Sequence, residues 1–136
     1  MIIVDSSVWI SVLRRDITPA VRALHILTEN RDDEVALGDL ILMEVLQGAR
    51  NERDADRIDR ALRCFPILPM LGEDIAAQAA RNYRLLRARG ITIRKSADML
   101  IGTFCIQGNH ILLHQDRDFD AMTEHLGLRR ALRPAT

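Results

Sequence analysis

Four acidic residues occupy positions where a carboxylate invites chemistry. Asp5 directly follows the apolar run Ile2-Ile3-Val4, and Asp116 lies two residues after Leu112-Leu113-His114. Glu44 is the only charge in Leu40-Ile41-Leu42-Met43-Glu44-Val45-Leu46, and Asp98 the only one between Ser96 and Gln107. An ionised carboxylate in so apolar a helix is costly unless it is paired, hydrogen-bonded or metal-bound. One such acid is explained by a salt bridge or a solvent-facing position. Four of them, two after strands and two alone on apolar helices, point instead to a shared site. Carboxylates that face each other repel and raise each other's pKa, and a divalent cation relieves this. Oxygen ligation favours Mg²⁺ or Mn²⁺ over Zn²⁺, because no His or Cys is spaced for zinc.

These residues must be positioned by something, and the chain alternates short β-like runs with helical patterns. Ile2-Ile3-Val4 reads as a strand, and Ser6 as the cap of a short helix to about residue 13. Thr18-Pro19 opens a second helix, with Val21, Leu24 and Leu27 or Ile26 at helical spacing. Arg31-Asp32-Asp33 reads as a turn, and Val35-Ala36-Leu37 as a strand. Asp39 starts a helix that Gly48 stops. A charged amphipathic helix runs from Asn51 or Arg53 to Cys64, with Ile58, Ala61 and Leu62 inward. Residues 65–68 form a brief strand, and residues 73–89 a long helix ending at Gly90. Ser96 caps a helix to about residue 107, residues 111–114 form an apolar strand, and a last helix covers about 119–125. Asp98 then falls in a first helical turn, where the helix dipole favours an anion.

Apolar, non-alternating strands separated by helices imply a mainly parallel sheet covered on both faces, an α/β/α sandwich. The 136 residues fit one domain with its own core. Ligands of such sheets bind outside the carboxyl ends of the strands, where Asp5 and Asp116 stand.

Charge sharpens the partner question. Lys plus Arg and Asp plus Glu each number 19, so the net charge is zero, which excludes a strongly basic coat protein but not a local basic patch. Of the 19 basic residues only Lys95 is Lys. Arg81, Arg84, Arg87, Arg89, Arg94 and Lys95 fall in an acid-free stretch, with Ile75, Ala79, Tyr83 and Leu86 as the opposite apolar stripe. That stretch is a solvated helix face or a contact for a phosphate backbone. Arg50, Arg53, Arg57, Arg60 and Arg63 alternate with acids, a pattern of intrahelical pairing or of an interface. Trp9 and Met43, Met70, Met99 and Met122 read as packing residues. Cys64 and Cys105 are unspaced and read as free buried thiols of a reducing, cytoplasmic protein. No apolar run approaches a membrane span, and the opening residues do not form a signal peptide. Nucleotide-binding glycine loops and a nucleophile elbow are absent.

The motifs together are recognisable. Val4-Asp5-Ser6-Ser7-Val8-Trp9-Ile10 resembles the opening of PIN-domain ribonucleases, especially the VapC toxins of type II toxin–antitoxin pairs. Glu44-Val45-Leu46-Gln47-Gly48-Ala49, Ala97-Asp98-Met99-Leu100-Ile101 and Leu113-His114-Gln115-Asp116-Arg117-Asp118-Phe119 resemble later blocks of that family, in order and spacing. The resemblance spans essentially the whole chain and implies a single PIN domain over residues 1–136, with a three-layer α/β/α fold. It further implies a Mg²⁺- or Mn²⁺-dependent endoribonuclease, a cognate antitoxin, an RNA substrate and a homodimer. Asp5, Glu44, Asp98 and Asp116 match the family's acidic quartet, and Asp118 an acid that only some members carry. Ser6 and Ser7 match supporting hydroxyl positions, while His114 stands where many members have Thr and is expected to donate to a neighbouring acid. Arg81, Arg84, Arg87, Arg94 and Lys95 are then the expected RNA grip. The rival reading is a catalytically inactive PIN-like module that only binds protein.

Overall fold

The computed structural model describes residues 1–30 and 34–131; the expected turn at Arg31-Asp32-Asp33 lies outside them. The elements in chain order are β1 (Ile2–Val4), α1 (Ser6–Leu13), α2 (Pro19–Glu29), β2 (Val35–Gly38), α3 (Asp39–Leu46) and α4 (Glu52–Leu62). They continue with β3 (Ile67–Leu68), α5 (Glu73–Ala88), α6 (Ser96–Gln107), β4 (Ile111–Leu113), α7 (Arg117–Leu126) and β5 (Arg129–Arg130).

The strands form one sheet in the order β3-β2-β1-β4-β5, and every pairing is parallel. Ile2, Ile3 and Val4 pair with Ile111, Leu112 and Leu113, so the two apolar strands lie side by side at the centre. The chain steps outward through β1, β2 and β3, then returns past β1 to β4 and β5. Right-handed crossovers therefore put α1–α4 on one face and α5–α7 on the other. The helix contacts agree, since α1 packs on α2 and α3, α3 on α4, and α6 on α5 and α7. The result is the expected three-layer α/β/α sandwich. All four residues of β2 are buried, as befits a strand covered on both faces.

Reversal of direction between β1 and β4 makes a crevice at their carboxyl ends, the usual ligand position of open parallel sheets. Asp5 and Asp116 leave the sheet there.

Several details differ from the sequence expectation. Asp5, not Ser6, caps α1, accepting from the Ser7 backbone N–H. Ser96 is the first residue of α6, after Lys95, rather than its cap. Helix α3 ends at Leu46, before Gly48. Asn51 is the cap of α4, while Ala61 faces solvent. Cys64 and Met43 are exposed, whereas Cys105 is fully enclosed and burial pushes its thiol up to about 12. The pair Arg129–Arg130 forms a strand that no β-pattern announces. Trp9 packs as expected, with its indole N–H donating to the Val4 carbonyl at 3.0 Å and its ring against Phe65. Among the described residues no helix is long and apolar enough to cross a membrane.

Candidate metal centre

Asp5 is held at the end of β1 because its side chain caps α1. Its Oδ2 accepts from the Ser7 backbone N–H at 3.1 Å and from the Ser7 hydroxyl at 2.6 Å. Its Oδ1 is buried and has no hydrogen-bond partner among the described residues. Burial raises its pKa, the two Ser7 bonds and the Ser6 backbone N–H lower it, and Asp116 adds a smaller upward push.

Asp98 sits in the first turn of α6 and is 5% exposed. Its Oδ2 is likewise buried without a partner among the described residues. Burial is the main reason that its pKa rises to about 7, with repulsion from Asp5, Asp116 and Glu44 adding to it. The positive charge of Lys95 opposes that rise. Glu44, on α3, accepts from the Ser6 hydroxyl at 3.3 Å. Its pKa is raised by burial first and by Asp5 second, and is lowered by Ser6 and Lys95.

Asp116 caps α7, and its Oδ1 accepts from the Asp118 backbone N–H at 3.0 Å. Asp98, Asp116 and Asp118 each present one oxygen, all within 4.8 Å of one another. Asp118 thus joins the group, and the Asp116-x-Asp118 spacing at a helix start is the sequence signal for it. Asp5 and Glu44 lie outside this tight triplet, but their charges act on Asp98.

His114 departs from expectation. It is 1% exposed, and its Nδ1 accepts from the Asp116 backbone N–H at 3.2 Å. It therefore supports the backbone of Asp116 rather than donating to a carboxylate. Its Nε2 stands 4.0 Å from Asp120 Oδ1, too far for a hydrogen bond. Burial, assisted by Arg130, lowers its pKa to about 4, so the ring is neutral at pH 7. The ion pair of Arg130 Nη1 with Asp120 Oδ1, at 2.5 Å, was not foreseen from the sequence.

Of the basic residues, Lys95 acts on the centre, its charge opposing the raised pKa of Asp98 and of Glu44. Arg81, Arg84 and Arg87 are exposed on α5, and Arg94 and Lys95 are exposed just before α6. The Arg87 guanidinium lies 5.7 Å from the centre of the Tyr83 ring. Tyr83, Arg84, Arg87, Ser96, Met99 and Leu100 line part of a groove of about 530 Å³ between α5 and α6. Buried Asn82, not foreseen in the apolar stripe, donates to Thr103 on α6 at 3.0 Å.

The cluster has the chemistry of a hard-cation site: oxygen donors only, two of them buried and unpartnered, and raised pKa values that a cation would reverse.

Known proteins match this chain over nearly its whole length. The PIN domain family model covers residues 2–124. The chain is 28% identical to VapC ribonuclease Mb1587 of Mycobacterium bovis, over 96% of this chain and 98% of that protein. It is 35% identical to ribonuclease VapC51 of Mycobacterium tuberculosis, over 86% of this chain and 84% of the relative. In fold it is similar to a chain of VapBC2 from Rickettsia felis bound to a promoter DNA fragment. There the TM-score is 0.75 at 17% identity, with 96% and 97% of the two chains covered. A chain of VapBC-1 from Haemophilus influenzae gives a TM-score of 0.73 at 18% identity, covering 96% of each.

Proposed function

The chain belongs to the PIN-domain family, among the VapC ribonucleases, and on that premise we propose that it is a metal-dependent endoribonuclease, the toxin of a type II toxin–antitoxin pair. The observation that carries the metal dependence is the pair of buried, unpartnered oxygens, Asp5 Oδ1 and Asp98 Oδ2, beside the Asp98–Asp116–Asp118 triplet. Burying such groups unpaired is unfavourable unless a cation completes them.

Asp98, Asp116 and Asp118, whose oxygens gather within 4.8 Å, are the residues that would hold Mg²⁺ or Mn²⁺, and the buried, unpartnered Oδ1 of Asp5 would add to them. When bound, the metal lowers the pKa of a water and offsets the negative charge of the scissile phosphodiester. Ser7 orients Asp5 through its two hydrogen bonds, which oppose the rise in pKa that burial causes. Glu44, held by Ser6, orients the attacking water or completes the outer ligand shell. His114 fixes the Asp116 backbone without adding a charge. Arg81, Arg84, Arg87, Arg94 and Lys95 take the RNA backbone, with Lys95 nearest the acids because its charge acts on both Asp98 and Glu44. Phosphate contacts of this kind position a strand without reading its sequence.

The family premise adds a cognate antitoxin, a homodimer and a cytoplasmic setting to the reading. Purified wild-type chain should cleave RNA in Mg²⁺ or Mn²⁺ and stop in EDTA. Asp5→Asn should be inactive while keeping its circular dichroism. Wild-type chain that binds an antitoxin but cleaves nothing in either metal would favour the inactive binding module instead.

A further inference from the structure

Gln115 lies between β4 and α7, one residue before Asp116, and its side chain is more engaged than an exposed glutamine requires. The amide Nε2 donates to the Ser7 carbonyl at 2.9 Å and to the Ser11 hydroxyl at 2.6 Å. The Oε1 accepts from the Thr18 hydroxyl at 2.9 Å. The Gln115 backbone N–H also points to Ser7, 3.4 Å from its hydroxyl oxygen. One residue of the β4–α7 connection thereby grips both α1 and the start of α2.

Both groups that Gln115 directs at α1 reach Ser7, and Ser7 makes both hydrogen bonds to the Asp5 carboxylate. Asp5 and Asp116 come from different strands. The last backbone bond between those strands is Asp5 N–H to the Leu113 carbonyl at 2.9 Å. Beyond it the chain departs into α1 on one face and α7 on the other. At the level where the acids project, the short connection from one to the other is Asp5–Ser7–Gln115–Asp116.

We propose that Gln115 is a positioning residue that fixes Asp116 against Asp5 through Ser7, and so sets the geometry in which the acids take a divalent cation. The inference rests on the metal-site reading above. Thr18 and Ser11 serve as the far anchors that stop the amide from rotating away. Thr18 is itself immobilised as the cap of α2, accepting from the Val21 N–H at 3.1 Å.

The test is Mn²⁺ binding by calorimetry on the full chain. Gln115→Met keeps the length of the side chain and removes its three polar contacts. It should weaken Mn²⁺ binding about 10-fold, as loss of an outer-shell support does, with unchanged circular dichroism. In a Ser7→Ala background, which removes the hydroxyl link to Asp5 but keeps the Ser7 carbonyl and N–H, the same change should cost about 3-fold, because part of the series path is already broken. Wild-type affinity in Gln115→Met, or losses that simply multiply in the double variant, would overturn the proposal. If Gln115→Met does not fold, Ser11→Ala decides: weakened Mn²⁺ binding supports the proposal and wild-type affinity overturns it. A wild-type chain that binds no Mn²⁺ would instead overturn the metal reading, and this inference with it.

Discussion

The carboxylates define what the residues of this protein must resolve. Asp5, Glu44 and Asp98 all have raised pKa values, with burial the largest cause for each. For Asp98 the folded value is about 7, against 3.8 when free of these surroundings. Between those values the folded chain holds a proton that the unfolded chain releases. Raising the pH through that window therefore costs stability. Burial of His114, which lowers its pKa to about 4, acts in the opposite sense below about pH 6.5, so the Asp98 contribution is read against Asp98→Asn: without metal, wild type should fall increasingly below that variant in melting temperature from pH 5 to pH 8. A gap between the two proteins that does not widen from pH 5 to 8 in EDTA would contradict the electrostatics. Asp98→Asn removes the titrating charge while keeping the shape. It should melt higher than wild type at pH 8 without metal, yet lose Mn²⁺-induced stabilisation. Scanning calorimetry of the two proteins with and without Mn²⁺ checks both statements. The acids were legible in the sequence because a lone charge in Leu40–Leu46 or between Ser96 and Gln107 has no cheap explanation. The hydrogen-bonding sense of His114 was not, since a histidine can donate or accept and only the approach of the Asp116 N–H decides.

At the scale of elements, the helices matter for where they aim their first turns. Asp98 and Asp116 both sit at helix N-termini, where the dipole eases the gathering of negative charge. Helix α6 is held on α5 through a buried polar link. Gln78 donates to Asn82 Oδ1 at 2.9 Å, and Asn82 donates to Thr103 at 3.0 Å. Asn82→Ala would strand Thr103 without its donor in a fully buried position. That should cost about 1–3 kcal/mol in urea unfolding. The folded variant should still bind Mn²⁺, because the link lies on the far side of α6's first turn, between α5 and α6. The Thr18-Pro19 cap is readable because its chemistry is local, whereas Asn51 reads only as one of two possible starts of α4. The sequence suggests Asp5 for the site and Ser6 for the cap, and the structure gives the cap to Asp5. Strand β5 was unreadable for the opposite reason. Two arginines carry no β-pattern, and Arg129 and Arg130 become a strand only because β4 offers its edge.

For the whole molecule, topology does the assembling. Outward progress through β3 and return to β4 place the ends of β1 and β4 side by side, and the acids of four separated segments meet there. The sequence order of strands and helices announced a parallel sandwich. The reversal itself depends on which strands pair, a long-range choice that local patterns do not carry. Zero net charge is likewise a property of the whole chain that hides its distribution. Acids gather at the strand ends, while Arg81, Arg84, Arg87, Arg94 and Lys95 stay exposed on α5 and just before α6. On the proposed reading, each bound divalent ion would make the working surface more positive and better suited to RNA. Replacing Arg84 and Arg87 together by Gln should weaken RNA binding and reduce its salt dependence, with Mn²⁺ affinity unchanged. Fluorescence anisotropy over a salt series reads both effects. Single-turnover cleavage reads whether the buried acids act through a divalent cation to cut RNA. Wild type should cleave a mixed RNA pool in Mg²⁺ or Mn²⁺ and stop on chelation. Asp98→Asn should be slower by about 100-fold or more in either metal. Full activity of wild type in excess EDTA, or of Asp98→Asn in Mg²⁺, would contradict it.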